Sequence, residues 1–253
     1  MCLIFAALNS HPTYKLIIAA NRDEFYNRRT AAAAHWEDYP NVIGGRDLEA
    51  GGTWMGVTTG GKISLLTNYR DPKNIRATAP SRGHLVADYL EQEVNTEDYL
   101  KLVQGRASEY NGFNLIVGNI NELYYLSNYK EGITKIGNGL VGLSNHLLDT
   151  PWPKVVKGKK KLARLLEASE ITTNDLMDFL YDDVPASENL PDTGIGLERE
   201  RALSSMFIKT PGYGSRCSSV VLVDKNNRVQ FTERVYDLST FEHSTSVFEF
   251  SVL

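Results

Sequence analysis

Cysteine is scarce in this sequence. Only Cys2 and Cys217 occur among the 253 residues, too few for the disulfide framework that stabilises many small secreted domains. Unpaired cysteines are typical of reducing compartments. The cysteine content therefore predicts a cytoplasmic protein.

Long apolar runs are also missing. A helix that crosses a bilayer needs about 20 predominantly apolar residues, whereas the runs here are short, such as residues 16–20, and typical of buried strands. Residues 1–8 are apolar, but no basic segment precedes them and polar residues 9–11 follow at once. We therefore expect neither a membrane span nor a signal peptide.

Positive charge is not in excess. The chain has 27 Lys and Arg against 31 Asp and Glu, a net charge of −4. Proteins that bind nucleic acids normally carry a basic surface that neutralises phosphates. No nucleic-acid partner is predicted, and we expect a small-molecule substrate or ligand; the oligomeric state stays open.

Residue patterns for a metal or a nucleotide cofactor are absent as well. The five histidines are scattered, without a close pair or a cysteine at ligand spacing. Residues 137–142 have the glycine spacing of a dinucleotide-binding turn, but no helical pattern begins within them. We predict no metal and no cofactor.

The chain does contain the composition of a globular domain, with 42% hydrophobic and 23% charged residues. Runs rich in β-branched and aromatic residues predict strands, and apolar residues repeating at three and four positions predict helices. The predicted strands are 2–8, 14–20, 54–58, 62–67, 113–117, 123–126, 218–223, 228–232 and 247–252. The predicted helices are 81–93, 96–110, 152–168 and 173–181.

Strands first, helices in the middle and strands last form an α+β pattern in which both chain ends contribute to one core. This order predicts a single domain over residues 1–253. Residues 183–198 contain two prolines and two glycines and follow neither period. They are interpreted as a lid or as a disordered segment.

Cys2 is the residue with the most specific chemistry. Removal of Met1 would leave one residue with both a thiol and a free α-amine, which titrate near ~8.5 and ~8. The α-amine can then take the proton of the thiol, and no histidine is required. The alternative is that Cys2 is a small buried hydrophobe at the start of an edge strand.

The polar residues after the second predicted strand bear on this choice. If the first two strands pair as a hairpin, residues 21–24 lie beside Cys2. Asp23 is then placed to hold the α-ammonium, and Arg22 to favour the thiolate or bind a substrate carboxylate. The alternative interpretation of residues 21–24 is a charged turn.

Several motifs resemble one family. Asn21, Arg22, Asp23 and Glu24 after the opening Met-Cys-Leu-Ile-Phe are similar to the NRDE family, also called the transport and Golgi organisation protein 2 family. Further matches in order cover nearly the whole chain, at residues 51–54, 66–70, 110–115, 142–145 and 151–154.

The resemblance extends to the cysteine N-terminal-nucleophile hydrolases, which include bile-salt hydrolases and penicillin V acylases. It implies a four-layer αββα sandwich of two antiparallel sheets and an amide-cleaving thiol at Cys2. It also implies catalytic roles for the matching residues Asp23, Asn68, Asn145 and Arg216. Asp23 would contact the α-amine, the main-chain N–H of Asn68 and the Asn145 amide would stabilise the oxyanion, and Arg216 would hold the thiolate or the transition state.

Turn formation is the alternative role for Asn68 and Asn145, and solvent exposure for Arg216. The candidate substrate-binding residues are Asn21, Arg22 and Trp54. One position departs from the bile-salt hydrolase branch, which has an arginine three residues before its aspartate, where this chain has Ala20.

The sequence thus predicts an N-terminal cysteine hydrolase of a non-peptide carbon–nitrogen bond. A second hypothesis rests on the resemblance, because members of the family have been linked to haem movement. It is a non-catalytic carrier of a small ligand, with haem as one such ligand, although no haem-ligand motif is evident.

Overall fold

The fold is described from a computed structural model, which describes residues 2–253. The described chain contains five α-helices and fourteen strands. The helices are α1 (His84–Glu91), α2 (Thr96–Gly105), α3 (Pro153–Leu166), α4 (Thr173–Leu180) and α5 (Leu197–Ala202). The strands are β1 (Cys2–Leu8), β2 (Tyr14–Phe25), β3 (Thr30–His35), β4 (Val42–Asp47), β5 (Met55–Thr58), β6 (Lys62–Asn68), β7 (Phe113–Asn119), β8 (Leu123–Ser127), β9 (Lys130–Ile136), β10 (Gly139–Leu143), β11 (Lys209–Thr210), β12 (Tyr213–Asp224), β13 (Arg228–Tyr236) and β14 (His243–Ser251).

The strands form two antiparallel sheets of seven strands each. Sheet A has the order β10-β1-β2-β12-β13-β14, with β11 beside β12. Sheet B runs in sequence order from β3 to β9. The first and last parts of the chain therefore share sheet A, and the part between them forms sheet B.

Three hydrophobic clusters show how the layers stack. One lies between the sheets and contains residues of both, such as Ile18 and Leu65. The second packs α3 and α4 on the outer face of sheet A, and the third packs α1 and α2 on the outer face of sheet B. The layers follow as helices, sheet A, sheet B, helices, which confirms the predicted αββα sandwich.

The alternation of side chains along β1 and β2 fixes which face each residue serves. Ile4 and Ile18 lie in the cluster between the sheets, whereas Leu3 and Ile17 face α3 and α4. Both faces are covered, so β1 is buried along its whole length. This explains why its sequence is a continuous apolar run rather than an alternating one.

A glycine allows α3 to approach β1. A Cβ atom at Gly158 would lie 2.0 Å from the Phe5 ring, so any larger residue would displace the helix or the ring. Phe5 also packs edge-to-face on Phe179 of α4, with ring centroids 5.3 Å apart. Phe5 is thus the centre of the contact between β1 and the outer helices.

The predicted hairpins are confirmed. Cys2 pairs with Arg22 across β1 and β2, and β12 pairs antiparallel with β13 after the turn at residues 225–227. All nine predicted strands and four predicted helices overlap observed ones. The prediction missed β3, β4, β9, β10, β11 and α5, and it ended β2 five residues early, at Ala20.

Residues 183–196 contain neither a helix nor a strand, and α5 begins at Leu197. Side-chain contacts tether the segment. Thr193 donates from its N–H and Oγ1 to Glu200 Oε1, at 2.8 and 2.6 Å, and the Ala186 N–H donates to Ser204 Oγ at 2.8 Å. Lys209 pairs with Asp183 at 2.9 Å. Within residues 2–253, none of the helices has the length and apolar character needed to cross a membrane.

Candidate active site

Cys2 lies where β1 begins, at the wall of a cavity of about 310 Å³. By strand alternation its side chain shares the face of Ile4, which lies between the two sheets. Both sheets and the loop at residues 79–83 line the cavity. Only 8% of Cys2 is exposed, and this cavity is open to solvent and ligand next to the residue.

Three arginines line the same cavity. The Arg22 guanidinium lies 4.3 Å from the centre of the Trp54 ring, Arg28 pairs with Asp47 at 2.6 Å, and Arg82 donates to the Gly112 carbonyl at 2.9 Å. Burial lowers the pKa of Arg82. The cavity therefore presents cationic groups close to the thiol, although the acidic residues Asp23, Glu24 and Asp47 line it as well.

The ionisation of Cys2 follows from this environment. Burial raises the pKa of the Cys2 thiol, and the charge of Asp23 raises it further. Arg22 and a hydrogen bond from the main-chain N–H of Asp23 oppose this shift. Because the pKa is raised, the thiol is protonated at neutral pH and needs a proton acceptor before it can attack.

Asp23 is on the opposite face of β2 from Arg22, towards the outer helices, and is 1% exposed. Ser215 Oγ donates to Asp23 Oδ1 at 2.6 Å. Burial raises the pKa of the Asp23 carboxyl, while the charge of Lys154 and the Ser215 hydrogen bond act against that shift. β1 and β2 thus bring Asp23 next to Cys2, as the hairpin predicted.

Asn68 and Asn145 lie next to each other, and Asn68 shares the cavity of Cys2. Asn68 ends β6 and lines the cavity. Asn145 is fully buried, and its Nδ2 donates to the Asn68 carbonyl at 3.1 Å. Ser144 Oγ donates to Asn145 Oδ1 at 3.2 Å. The hydrogen bonds fix the Asn145 amide with its nitrogen towards Asn68.

Two predicted site residues have other partners. Asn21 Nδ2 donates to the carbonyls of Leu180 and Met206, at 2.9 and 2.8 Å, and its Oδ1 accepts from Ser218. The side chain of Asn21 thus joins β2 to the helical layer and faces away from Cys2, so the geometry does not support substrate binding.

Arg216 donates to the carbonyls of Phe25, at 3.1 Å, and Arg28. It lines a smaller cavity of about 80 Å³ that Cys2 does not line. The guanidinium is therefore held at the turn between β2 and β3 rather than at Cys2. Instead, Arg22 lies directly across from Cys2, while Ala20 faces the cluster between the sheets.

Several polar residues near Asp23 were not predicted. Ser215 donates a hydrogen bond to Asp23, and the charge of Lys154 acts to lower the pKa of the Asp23 carboxyl. Arg70 pairs with Glu200 at 2.6 Å with both side chains buried. Lys154 and Arg70 belong to motifs that carried the family resemblance, at 151–154 and 66–70. Lys154 follows two prolines at the start of a helix, and nothing in that sequence indicates that its side chain is buried.

A second cavity, of about 640 Å³, adjoins the site on the Asp23 side of sheet A. Phe25, two residues after Asp23 on the same face of β2, and its strand partner Tyr213 form one wall. The rest comes from Arg70, from α5 and its flanks, and from β11 and the turn after it. These residues are both apolar and charged: Ile195, Glu198, Arg199, Ala202, Leu203, Thr210 and Pro211. In residues 2–253, no group of three or more His, Cys, Asp or Glu is arranged to hold a metal ion.

The layer order and the position of Cys2 define the N-terminal-nucleophile hydrolase-like class of fold. The chain resembles the C2A mutant of conjugated bile acid hydrolase from Clostridium perfringens, with TM-score 0.50 and 8% identity over 100% of this chain and 98% of that one. It also resembles an N-acylethanolamine-hydrolyzing acid amidase ortholog from Caenorhabditis elegans, with TM-score 0.51 and 12% identity over 88% and 92%. Identities this low show the fold alone.

The family model for Transport and Golgi organisation 2 matches residues 1–238. The Transport and Golgi organization 2 homolog of Mus musculus is 36% identical over 275 residues, which span 100% of this chain and 99% of the mouse protein. The chain belongs to the Transport and Golgi organisation 2 family.

Proposed function

We propose that, after removal of Met1, this chain is an N-terminal cysteine hydrolase that cleaves a non-peptide carbon–nitrogen amide bond through an acyl-enzyme. The observation that carries the proposal is the position of Cys2, at the start of β1 and in the wall of a cavity, with buried Asp23 beside it. Because burial raises the pKa of the thiol, this mechanism requires the α-amine as a proton acceptor.

In the first step, the α-amine of Cys2 takes the thiol proton as Sγ attacks the amide carbonyl carbon. Asp23 holds and orients the α-amine. The tetrahedral intermediate carries its charge on the former carbonyl oxygen, and the main-chain N–H of Asn68 and the Asn145 amide are the proposed donors. Losing one such donor commonly costs ~3 kcal/mol of transition-state stabilisation.

In the second step, the α-ammonium gives its proton to the leaving nitrogen as the carbon–nitrogen bond breaks, which leaves a thioester on Cys2. Water then attacks the thioester, the acid is released and the thiol is restored. Arg22 stays next to the thiol throughout and, above Trp54, is the proposed contact for an anionic group of the substrate.

The substrate is proposed to be an acyl amide. An anionic part of it fits the arginines of the cavity that Cys2 lines. The two solved structures of similar fold are named as hydrolases of conjugated bile acids and of N-acylethanolamines. We also propose a cytoplasmic location, because both cysteines are free.

Two measurements test the proposal. Intact mass of the purified protein should show loss of Met1, since a retained Met1 blocks the α-amine of Cys2. A panel of acyl amides should then show hydrolysis by the wild type that is lost in Cys2→Ser and retained in Cys217→Ser, the matched change at the other buried cysteine. Hydrolysis that survives Cys2→Ser undiminished would remove Cys2 from the mechanism.

The second cavity, beside α5, also supports the second candidate, a small-ligand carrier. Its volume of about 640 Å³ lies in the range of small-molecule sites. Titration with haem, followed by absorbance, tests the haem version. Saturable binding at low micromolar concentration that persists in Cys2→Ala would favour the carrier, and absence of saturation would exclude haem as its ligand.

A further inference from the structure

Lys154 is buried in a position that disfavours a cation. It is the second residue of α3 and is 2% exposed. Its Nζ has no hydrogen-bond partner among residues 2–253. The N-terminus of a helix carries a positive partial charge, and a buried ammonium loses its hydration. An opposite charge nearby must offset both effects.

The groups whose charges act on the pKa of Lys154 come from four places in the fold: Asp23 on β2, Arg70 after β6, Cys2 on β1 and Glu200 on α5. Arg70 and Glu200 are already paired at 2.6 Å, and the thiol of Cys2 is protonated at neutral pH. Asp23 is therefore the charge that offsets Lys154. Conversely, Lys154 has the largest effect among the charges that act on Asp23.

We propose that Lys154 is a positioning residue of the Cys2 site, whose ammonium keeps the buried Asp23 carboxylate ionised so that Asp23 can hold the α-ammonium of processed Cys2. The inference rests on the proposed function only where it states that Asp23 holds the α-ammonium of processed Cys2. The effect of Lys154 on Asp23 does not depend on turnover.

Two observations support the pairing. Burial lowers the pKa of Lys154 to about 8, so the side chain is still mostly protonated at neutral pH. Strand alternation puts Asp23 on the same face of β2 as Ala19, and Ala19 belongs to the hydrophobic cluster that α3 joins through Val155. Lys154 and Asp23 therefore lie on the same side of sheet A, the side that α3 covers.

The direct test is an NMR titration of Asp23 in protein labelled with [4-¹³C]aspartate, with the signal assigned by its loss in Asp23→Asn. In Lys154→Met the Asp23 midpoint should rise by about one pH unit or more, because the carboxylate loses a nearby cation. Lys154→Arg, which keeps the charge, should restore a midpoint close to the wild type. An unchanged midpoint in folded Lys154→Met would overturn the proposal.

Lys160→Met is the matched control, since Lys160 is exposed on the same helix. It should leave the Asp23 midpoint in place. The reciprocal experiment covers the case in which Lys154→Met fails to fold. In Asp23→Asn, with [ε-¹³C]lysine labelling, the pKa of Lys154 should fall further, and a value equal to that of the wild type would contradict the pairing.

A second readout separates this inference from the proposed function. If Asp23 must be ionised for amide hydrolysis, the acidic limb of kcat/KM moves to higher pH in Lys154→Met together with the NMR midpoint. A shifted NMR midpoint with an unshifted acidic limb would leave Lys154 as the counter-charge of Asp23 but reject the role of Asp23 in the reaction.

Discussion

Ser215 Oγ donates to Asp23 Oδ1 at 2.6 Å across β2 and β12. The same oxygen accepts from the Ile208 N–H at 2.9 Å, so one buried hydroxyl connects the carboxylate to the segment before β11. A β-bulge between Ser215 and Cys217 shifts the register of β12 at this point. Bulges commonly redirect side chains near active sites, and here the residue beside Asp23 is Ser215.

Ser215→Ala should destabilise the protein and make Asp23 harder to ionise. The change removes the donor to Asp23 and the acceptor of the Ile208 N–H, and loss of a buried hydrogen bond typically costs about 1–3 kcal/mol. The pKa of Asp23 should rise further, because the hydrogen bond favours its ionised form. Urea denaturation and the Asp23 titration measure the two effects.

Ser244→Ala provides the comparison, since Ser244 is exposed on the edge strand β14. It should change the free energy of unfolding by no more than about 0.5 kcal/mol. Equal stability of the Ser215 and Ser244 variants would show that the bond to Asp23 contributes nothing.

Arg22→Met should slow the reaction of Cys2 with a neutral electrophile. Arg22 lowers the pKa of the Cys2 thiol against the effect of burial. Without it the pKa rises and the thiolate fraction at pH 8 falls, by about three- to tenfold for a shift of half a unit to one unit. The rate of alkylation by iodoacetamide, read at the Cys2 peptide by mass spectrometry, measures this change.

Arg46→Met is a matched control for this experiment. The Arg46 guanidinium also lies over a tryptophan, at 4.0 Å from the Trp36 ring, and pairs with Asp38 at 3.0 Å. Its loss removes a comparable cation–π contact but should leave the alkylation rate at Cys2 unchanged. A similar slowing in both variants would point to general loosening of the structure instead.

The core of the fold was predictable because burial leaves a strong pattern. β1 and β12 contain continuous apolar runs, and α4 repeats its apolar residues at helical spacing. β3 and β9 escaped prediction because they form the two edges of sheet B and their side chains are mostly exposed. Alanine, lysine and glycine in such strands give no apolar period.

The extension of β2 through residues 21–25 was missed for another reason. Polar residues after an apolar run look like a turn, yet Asn21, Arg22 and Asp23 are all buried in the strand. Their partners, such as Ser215 for Asp23, come from distant parts of the chain. Those contacts are visible only in three dimensions. The single-domain organisation stays a prediction.

Glu200→Gln should loosen the segment at residues 183–196. The change retains an acceptor for Thr193 but leaves the buried Arg70 guanidinium without its carboxylate. Breaking a buried ion pair by removal of one charge costs about 3–5 kcal/mol. Hydrogen exchange at residues 183–196 should become faster than in Glu198→Gln, where the exposed carboxylate of the same helix is replaced. Equal exchange in both variants would show that the ion pair does not tether the segment.

Alkaline pH should stabilise the wild type relative to Lys154→Met. Burial lowers the pKa of Lys154 from its ordinary value of 10.5 to about 8. Between these two pH values Lys154 is protonated in the unfolded chain but has lost its proton in the folded chain. The free energy of unfolding therefore rises with pH between them. Below about pH 8 the buried lysine is charged, which lowers the stability of the fold. Lys154→Met has no titrating group at this position and lacks this dependence.

The difference in free energy of unfolding, wild type minus Lys154→Met, should therefore rise by about 3 kcal/mol over the window set by the two pKa values. Urea denaturation at half-unit steps of pH measures this difference. Tyrosines also ionise in this range, but they do so in both proteins, so their contribution cancels in the difference. Lys160→Met, on the exposed side of α3, is the matched control for loss of a lysine. A difference that stays constant with pH would mean that Lys154 ionises in the folded protein as it does in the unfolded chain, and would remove the physical basis for its burial beside Asp23.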